Sequence, residues 1–416
     1  MSDEASSLQR PGRPLSIALW NFSSNWFLIP QGTGIICILL HQLDYQFKGL
    51  MILAKIVWIY AIVLFGLCLI IYSLRILVYP KHVRHQLRVN LVETSCLASI
   101  PIVYNEIIQL AVLQYGSRAG VAFYVLWWIQ AGLATVACLA IPYVQLKLQP
   151  PGISHLPPAI LLPFIASLTS AVGGGVLCRF DHISARLQVP VIIISYLQIG
   201  AGLSLAVGFD TLILLQHFDR FTPTADNVYQ DMIVCGPFGQ GAFALQVLGE
   251  AVAEGSFASY SRGTFLTSEA AAPIGYTSQF LGLLTWGYGI FWWCFAIVSI
   301  CHTLCAQPGG WRKTRFTMAA WSLIFPWVRC PSPICVCRAH RKQGVFTNAA
   351  VEFGKTMDSP AFAVVSTALL LILLVMWFAV QILTMKGLFT GRILGLEHGW
   401  KRRRLDRGDS AGNKDA

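Results

Sequence analysis

The side chains able to do chemistry in this 416-residue chain are sparse and scattered. No His-Glu-x-x-His pair, no phosphate loop ending in Lys-Ser/Thr and no nucleophile elbow occurs in the sequence, so an enzyme is not indicated. Cys330, Cys335, Cys337 and His340 invite a zinc reading, but Cys-x4-Cys-x-Cys-x2-His is not a standard zinc spacing. Neither a metal nor a cofactor is expected. What remains is a set of neutral donors within apolar runs: Gln31, Thr33, Ser167, Thr169 and Gln240. They suit a path through hydrocarbon in which a charged solute is met by dipoles rather than by tightly paired opposite charges, so that it can leave again. Pro101, Pro163, Pro237 and Pro326 add to this, because a proline frees a carbonyl and a broken helix points its partly positive N-terminus into the path. Glu106 is an ionisable residue within an apolar run and therefore a functional candidate. It either couples protons or sits at the aqueous end of its helix, and the second is favoured. Asp210 is expected near the inner end of its span, and Arg179 and Arg186 as loop charges at an outer mouth.

The elements that must position these residues are membrane helices. Hydrophobic residues make up 55% of the chain and charged residues 12%, about half the charge of a soluble domain. Ten apolar spans of membrane length are expected, at about 23–42, 51–77, 91–113, 121–146, 158–179, 189–214, 230–252, 276–304, 316–352 (interrupted) and 360–385. With a cytoplasmic N-terminus, 19 Lys and Arg fall on the inner side and 6 on the outer, including Arg75 in the inner loop after the second span. Both termini are therefore expected inside. Residues 1–15 form an N-tail and 391–416 a basic C-tail, whose Lys401-Arg402-Arg403-Arg404 run is an anchor for anionic lipid. The net charge of +11 needs no nucleic-acid partner. Nine of the 12 cysteines lie in or beside apolar runs, which is not a disulfide framework.

The spans differ in kind. Odd-numbered spans carry small, polar and helix-breaking residues: Gln31-Gly32-Thr33-Gly34 in the first, Pro101 in the third, and Pro163, Ser167, Thr169 and Gly173-Gly174-Gly175 in the fifth. The seventh carries Pro237, Gly239, Gln240 and Gly241, and the ninth Phe325 and Pro326. Even-numbered spans are mostly aliphatic or aromatic. Irregular backbone survives in lipid only where protein or water covers it, so the odd spans belong inside around a path and the even spans outside. In that arrangement Gly173-Gly174-Gly175 gives backbone access to the path. For a single glycine the alternative is close helix packing.

At these residues the chain resembles the tellurite-resistance/dicarboxylate transporter family of slow anion channels, malate permeases and sulfite efflux pumps. The matching stretches are Trp20 to His41, Pro158 to Gly175 and Cys235 to Gly249. Gly239-Gln240-Gly241 is similar to the sulfite branch. The resemblance covers about residues 16–390 and implies an all-α polytopic fold of ten helices, as five hairpins around a central pore. It further implies a homotrimer that moves inorganic anions, with a phenylalanine of the ninth helix plugging each pore. Trp321 to Pro326 is the matching motif, which makes Phe325 the candidate gate. The expected function is fungal sulfite or bisulfite efflux across the plasma membrane. The alternatives are a malate or C4-dicarboxylate carrier and an inactive homologue.

Val328 to Gln343 does not fit, because its four positive charges and two prolines cannot lie inside a spanning helix. Excising these 16 residues joins Trp327 to Gly344 and restores a ninth helix like the family's. Val-Arg and Gln at the ends also suit an intron that begins GT, ends AG and reads in frame. The segment reads as a retained intron or gene-model error, with a genuine re-entrant insertion as the alternative.

Overall fold

The computed structural model describes residues 11, 13–42, 48–150, 152, 156–180, 183–219, 228–306, 316–324 and 360–396. These residues form an all-α membrane protein; the isolated bridge Arg262–Leu266 is the single β pairing among them. In chain order the helices are α1 (Pro14–Asn21), α2 (Leu28–Gln42), α3 (Leu50–Val78) and α4 (Pro80–Val89). They continue as α5 (Leu91–Tyr115), α6 (Gly120–Lys147), α7 (Pro158–Phe180), α8 (Ala185–Phe218), α9 (Val228–Tyr260) and α10 (Ser268–Thr303). The last is α11 (Pro360–Thr390). Eight of these are long and apolar enough to cross a membrane, and nine if α1 and the Ser24–His41 stretch, bent by 74°, count as one. Most of the expected ninth span, with Phe325, Pro326 and Val328 to Gln343, lies outside the described residues.

Burial separates two classes of helix. In α7 and α9 the whole apolar window is buried, and in α5 67% of it. In α3, α6, α8, α10 and α11 the share runs from 22% to 39%. The outer helices are amphipathic by residue size rather than by polarity. On α3, Ala54, Val57, Ala61, Phe65 and Cys68 face inward, while Ile52, Ile56, Ile59, Val63, Leu67 and Ile70 are exposed at the same helical spacing. An exposed stripe of large aliphatics is stable against lipid and would not be against water.

Specific contacts join neighbouring helices of the chain. Cys68 of α3 reaches the Trp26 carbonyl at the start of the first span. Gln130 of α6 donates to the Pro101 carbonyl of α5 at 3.1 Å, and Gln145 to the Ser95 hydroxyl at 2.8 Å. Ser167 of α7 donates to the Gln198 carbonyl of α8. Between α9 and α10 the backbones nearly touch: a Cβ on Gly249 would lie 2.7 Å from the Gly275 carbonyl, and one on Gly275 as close to the Gly249 carbonyl. Only glycine at both positions permits that approach.

The inner elements close a ring. α2 packs on α5, α5 on α7, α7 on α9, the first turns of α9 on the Met318–Leu323 turn, and that turn back on α2. Each of the five carries a 3₁₀ stretch at or near its start: Ser24–Phe27, Cys96–Ala98, Pro158–Leu161, Val228–Cys235 and Met318–Leu323. In the first four, a proline sits in the first turn of the α-helix that follows: Pro30, Pro101, Pro163 and Pro237. Proline is tolerated there because the N–H it lacks has no α-helical partner in a first turn. The prolines thus mark where tight 3₁₀ turns give way to α-helix, one to two turns into each inner element.

Candidate functional site

The first turns of the inner helices surround a small cavity. It is lined by Leu28 and Gln31 of α2, Leu162 and Ile165 of α7, Ile233 of α9, and Trp321 and Ser322. Its volume is about 10 Å³, room for about one water molecule. Among the described residues no charged side chain lines it. Gln31 is 1% exposed, and neither its amide oxygen nor its amide nitrogen has a hydrogen-bond partner among the described residues. Trp321 covers one side, with its indole N–H donating to Thr384 of α11 at 2.9 Å. Gly32 gives it room: a Cβ there would lie 3.0 Å from the indole and 3.1 Å from Ile324.

Three of the other expected donors are already engaged. Thr33 donates to the Ile29 carbonyl and accepts from the indole of Trp377 on α11. Thr169 donates to Ile165 of its own helix, and Ser167 to α8. Of the expected neutral donors, Gln31 lines the cavity with its amide unspent. Gln240 and Gly241 are buried in α9, where a Cβ on Gly241 would press within 2.6 Å of Leu203. The three consecutive glycines face four neighbouring helices rather than open space. Gly173 lies under Asn105 of α5, Gly174 against Ser195 of α8 and Trp127 of α6, and Gly175 against Val247 of α9. Asn105 donates to the Thr169 carbonyl and Trp127 to the Ser170 carbonyl, which ties these helices across the glycine stretch. In these contacts the three glycines allow close helix packing.

Two acidic residues differ from their expected settings. Glu106 does not sit at an aqueous helix end. It is 2% exposed, wedged against Gly34, with both carboxylate oxygens unpartnered among the described residues. Only the missing side chain of Gly34 leaves space for it, and that pairing of distant residues is invisible in the sequence. Asp210 lies toward the C-terminal end of α8 and is fully buried, beside Tyr288 of α10 and Cys235 of α9.

The basic residues also change roles. Arg179 is not a loop charge: it pairs with Glu250 and lies 3.9 Å from Glu254 of α9. Arg186 is exposed as expected. Arg75, assigned above to the inner loop, is the buried end of α3 and pairs with Glu93 of α5 at 2.5 Å. Tyr72 donates to the same carboxylate, and the Ser24 amide to its other oxygen. This network ties the starts of the first and third spans to the end of the second. Its sequence signal was an Arg closing one apolar run and a Glu opening the next. Among the described residues nine cysteines form no disulfide: six are buried, and Cys294 and Cys301 on α10 and Cys305 just beyond it are exposed. No cluster of metal-binding type occurs among the described residues.

Comparison with known proteins agrees with this architecture. A sulfite efflux pump of Arthroderma benhamiae is 29% identical over 377 residues, covering 88% of this chain and 91% of that protein. A sulfite efflux pump of Trichophyton rubrum is 28% identical over the same shares. The malic acid transport protein of Schizosaccharomyces pombe is 22% identical over 386 residues, covering 92% of this chain and 82% of that protein. The model of the voltage-dependent anion channel family matches residues 21–331. With most of its length in that match and its inner helices ringed about an uncharged cavity, the chain belongs to the voltage-dependent anion channel family.

Proposed function

We propose that the protein exports sulfite, as sulfite or hydrogen sulfite, across the plasma membrane of a fungal cell. The observation that carries the substrate is the near full-length similarity to two sulfite efflux pumps, at 29% and 28% identity against 22% for the malic acid transport protein. Gly239-Gln240-Gly241 in α9 supports the same branch. The path runs along the ring of inner helices that bear Gln31 to Gly34, Pro101, Pro163 to Gly175, Pro237 to Gly241 and Pro326. The full arrangement is ten helices in five hairpins, over residues 16–390, with both termini cytoplasmic. In support, the Asn21 side chain donates to the Leu394 carbonyl at 2.8 Å, which puts the two ends of the helical domain on one face. Three copies assemble, one pore each, through outer helices that otherwise meet lipid. Phe325, directly after the Trp321–Ile324 stretch, is the gate. Glu106, buried and unpartnered, is the candidate proton carrier. Val328 to Gln343 is a retained intron or gene-model error, and the family match ends inside it, at residue 331.

The test is sulfite release from sulfite-loaded cells lacking their own exporter, expressing the chain with and without Val328 to Gln343. Malate flux runs in parallel. Sulfite release that rises in Phe325→Ala supports substrate and gate together. Malate flux without sulfite flux moves the chain to the dicarboxylate carriers. No flux from protein at the cell surface makes it an inactive homologue. A mature transcript that keeps the 16 codons sinks the intron reading.

A further inference from the structure

The cavity lined by α2, α7, α9 and the Met318–Leu323 turn has three features that together define a ligand. Among the described residues it has no cation in its wall. It lies against the first turn of two α-helices of ordinary length, Leu28–Gln42 and Leu162–Phe180, whose dipoles begin there. Such a turn offers partial positive charge, enough for a monoanion and far short of two full charges. Third, Gln31 is 99% buried, with an unspent donor and an unspent acceptor on one amide. A buried amide with neither end bonded is costly unless a ligand completes it.

We infer that this cavity is the selectivity site and that the species it passes is the protonated monoanion, hydrogen sulfite, and not the sulfite dianion. The inference rests on the sulfite reading above. Hydrogen sulfite carries one O–H donor and bare oxygens as acceptors. Gln31 Nε2 donates to a bare oxygen, Gln31 Oε1 accepts from the O–H, and the Ser322 hydroxyl borders the same space. The dianion has no proton to offer Oε1, which would face a second negative centre. Its charge also tells against it, because the Born cost of leaving water grows with the square of the charge, about fourfold for a dianion. The same two arguments disfavour a fully ionised dicarboxylate. The cavity holds about one water as it stands, so passage needs Leu28, Ile165 or Ile233 to swing aside.

The experiment uses the full chain in proteoliposomes, with sulfite and chloride flux measured between pH 5.5 and 8. Chloride is the internal control, since it accepts hydrogen bonds but has no proton to give. Sulfite flux that falls as pH rises, in step with the hydrogen sulfite fraction, is expected, with chloride flux nearly level. In Gln31→Leu sulfite flux should fall about tenfold, equivalent to about 1.4 kcal/mol, with chloride changed much less. Gln31→Asn, which keeps both functions on a shorter arm, should retain part of the preference. Sulfite flux that rises with pH overturns the inference, as does an equal loss of both anions in Gln31→Leu. Chloride flux without any sulfite flux overturns the sulfite reading itself. No flux of either anion from folded protein overturns both.

Discussion

Glu106 and Gly34 form a lock made of one large side chain and one absent side chain. A methyl group on Gly34 would collide with the Glu106 carboxylate, and the surrounding helices are packed on every side. Overpacking of this kind costs about 1–3 kcal/mol. Gly34→Ala should therefore lower the thermal midpoint of the detergent-solubilised protein by several degrees. Glu106→Ala in the same chain should return much of the loss, because the two residues share one volume. Additive losses in the double variant would mean that the contact does not govern stability. Neither residue reveals this by itself: the sequence shows a glycine in one span and a carboxylate in another, 72 positions apart.

The 3₁₀-to-α junctions depend on anchors between elements, and the strongest is the Arg75–Glu93 pair. Removing one partner of a buried ion pair leaves the other charge uncompensated, at about 3–5 kcal/mol. Arg75→Ala should reduce folded yield sharply in fluorescence-detected size exclusion. Arg75→Met with Glu93→Leu should be milder than Arg75→Ala, since no lone charge remains. If the double change is the worse of the two, the pair acts through its geometry rather than its charge.

On the same face, outside the spanning segments, His82 of α4 stacks on Trp20 of α1, ring centroids 3.7 Å apart. Burial, with Arg75 and His85 nearby, pushes the imidazole down to about 4 from its ordinary 6.5. In that window the unfolded chain binds the proton and the folded one does not. This contact's stability is therefore full above about pH 6.5 and drains away as pH falls toward 4. Melting curves at pH 7.5 and 5 should diverge in the wild type and converge partly in His82→Gln. An unchanged gap would mean that His82 does not titrate across it. Here the sequence supplied the prolines and the polar residues, while folding decided which hydroxyls were spent on carbonyls.

For the whole molecule, the contrast between fully buried α7 and α9 and the exposed aliphatic stripes of α3, α6, α8, α10 and α11 defines an inside and an outside. A trimer in which each copy keeps its own ring should give three times the chain mass by native mass spectrometry in detergent. Charged substitutions on α3 at Ile56 or Ile59, exposed at 58% and 57%, should impair membrane insertion. Equivalent polar changes there should be tolerated. A monomeric mass would confine the exposed stripes to lipid contact alone.

The sequence by itself determined the all-α membrane class and the split between inner and outer helices. These follow from local composition: a span's length, its glycines and prolines, and the charges that flank it. Family membership was legible for the same reason, because its motifs are short and contiguous. Only the tertiary structure decided which candidates meet. It brought Gln31 to the cavity with Trp321 and Ser322, spent Thr33, Ser167 and Thr169 on helix carbonyls, and buried Glu106 on Gly34. It also turned Arg75 and Arg179 from loop charges into ion pairs. Those outcomes depend on helix rotation and on contacts between distant spans. A residue's type fixes what it can bond, but the packing of its neighbours fixes what it does bond.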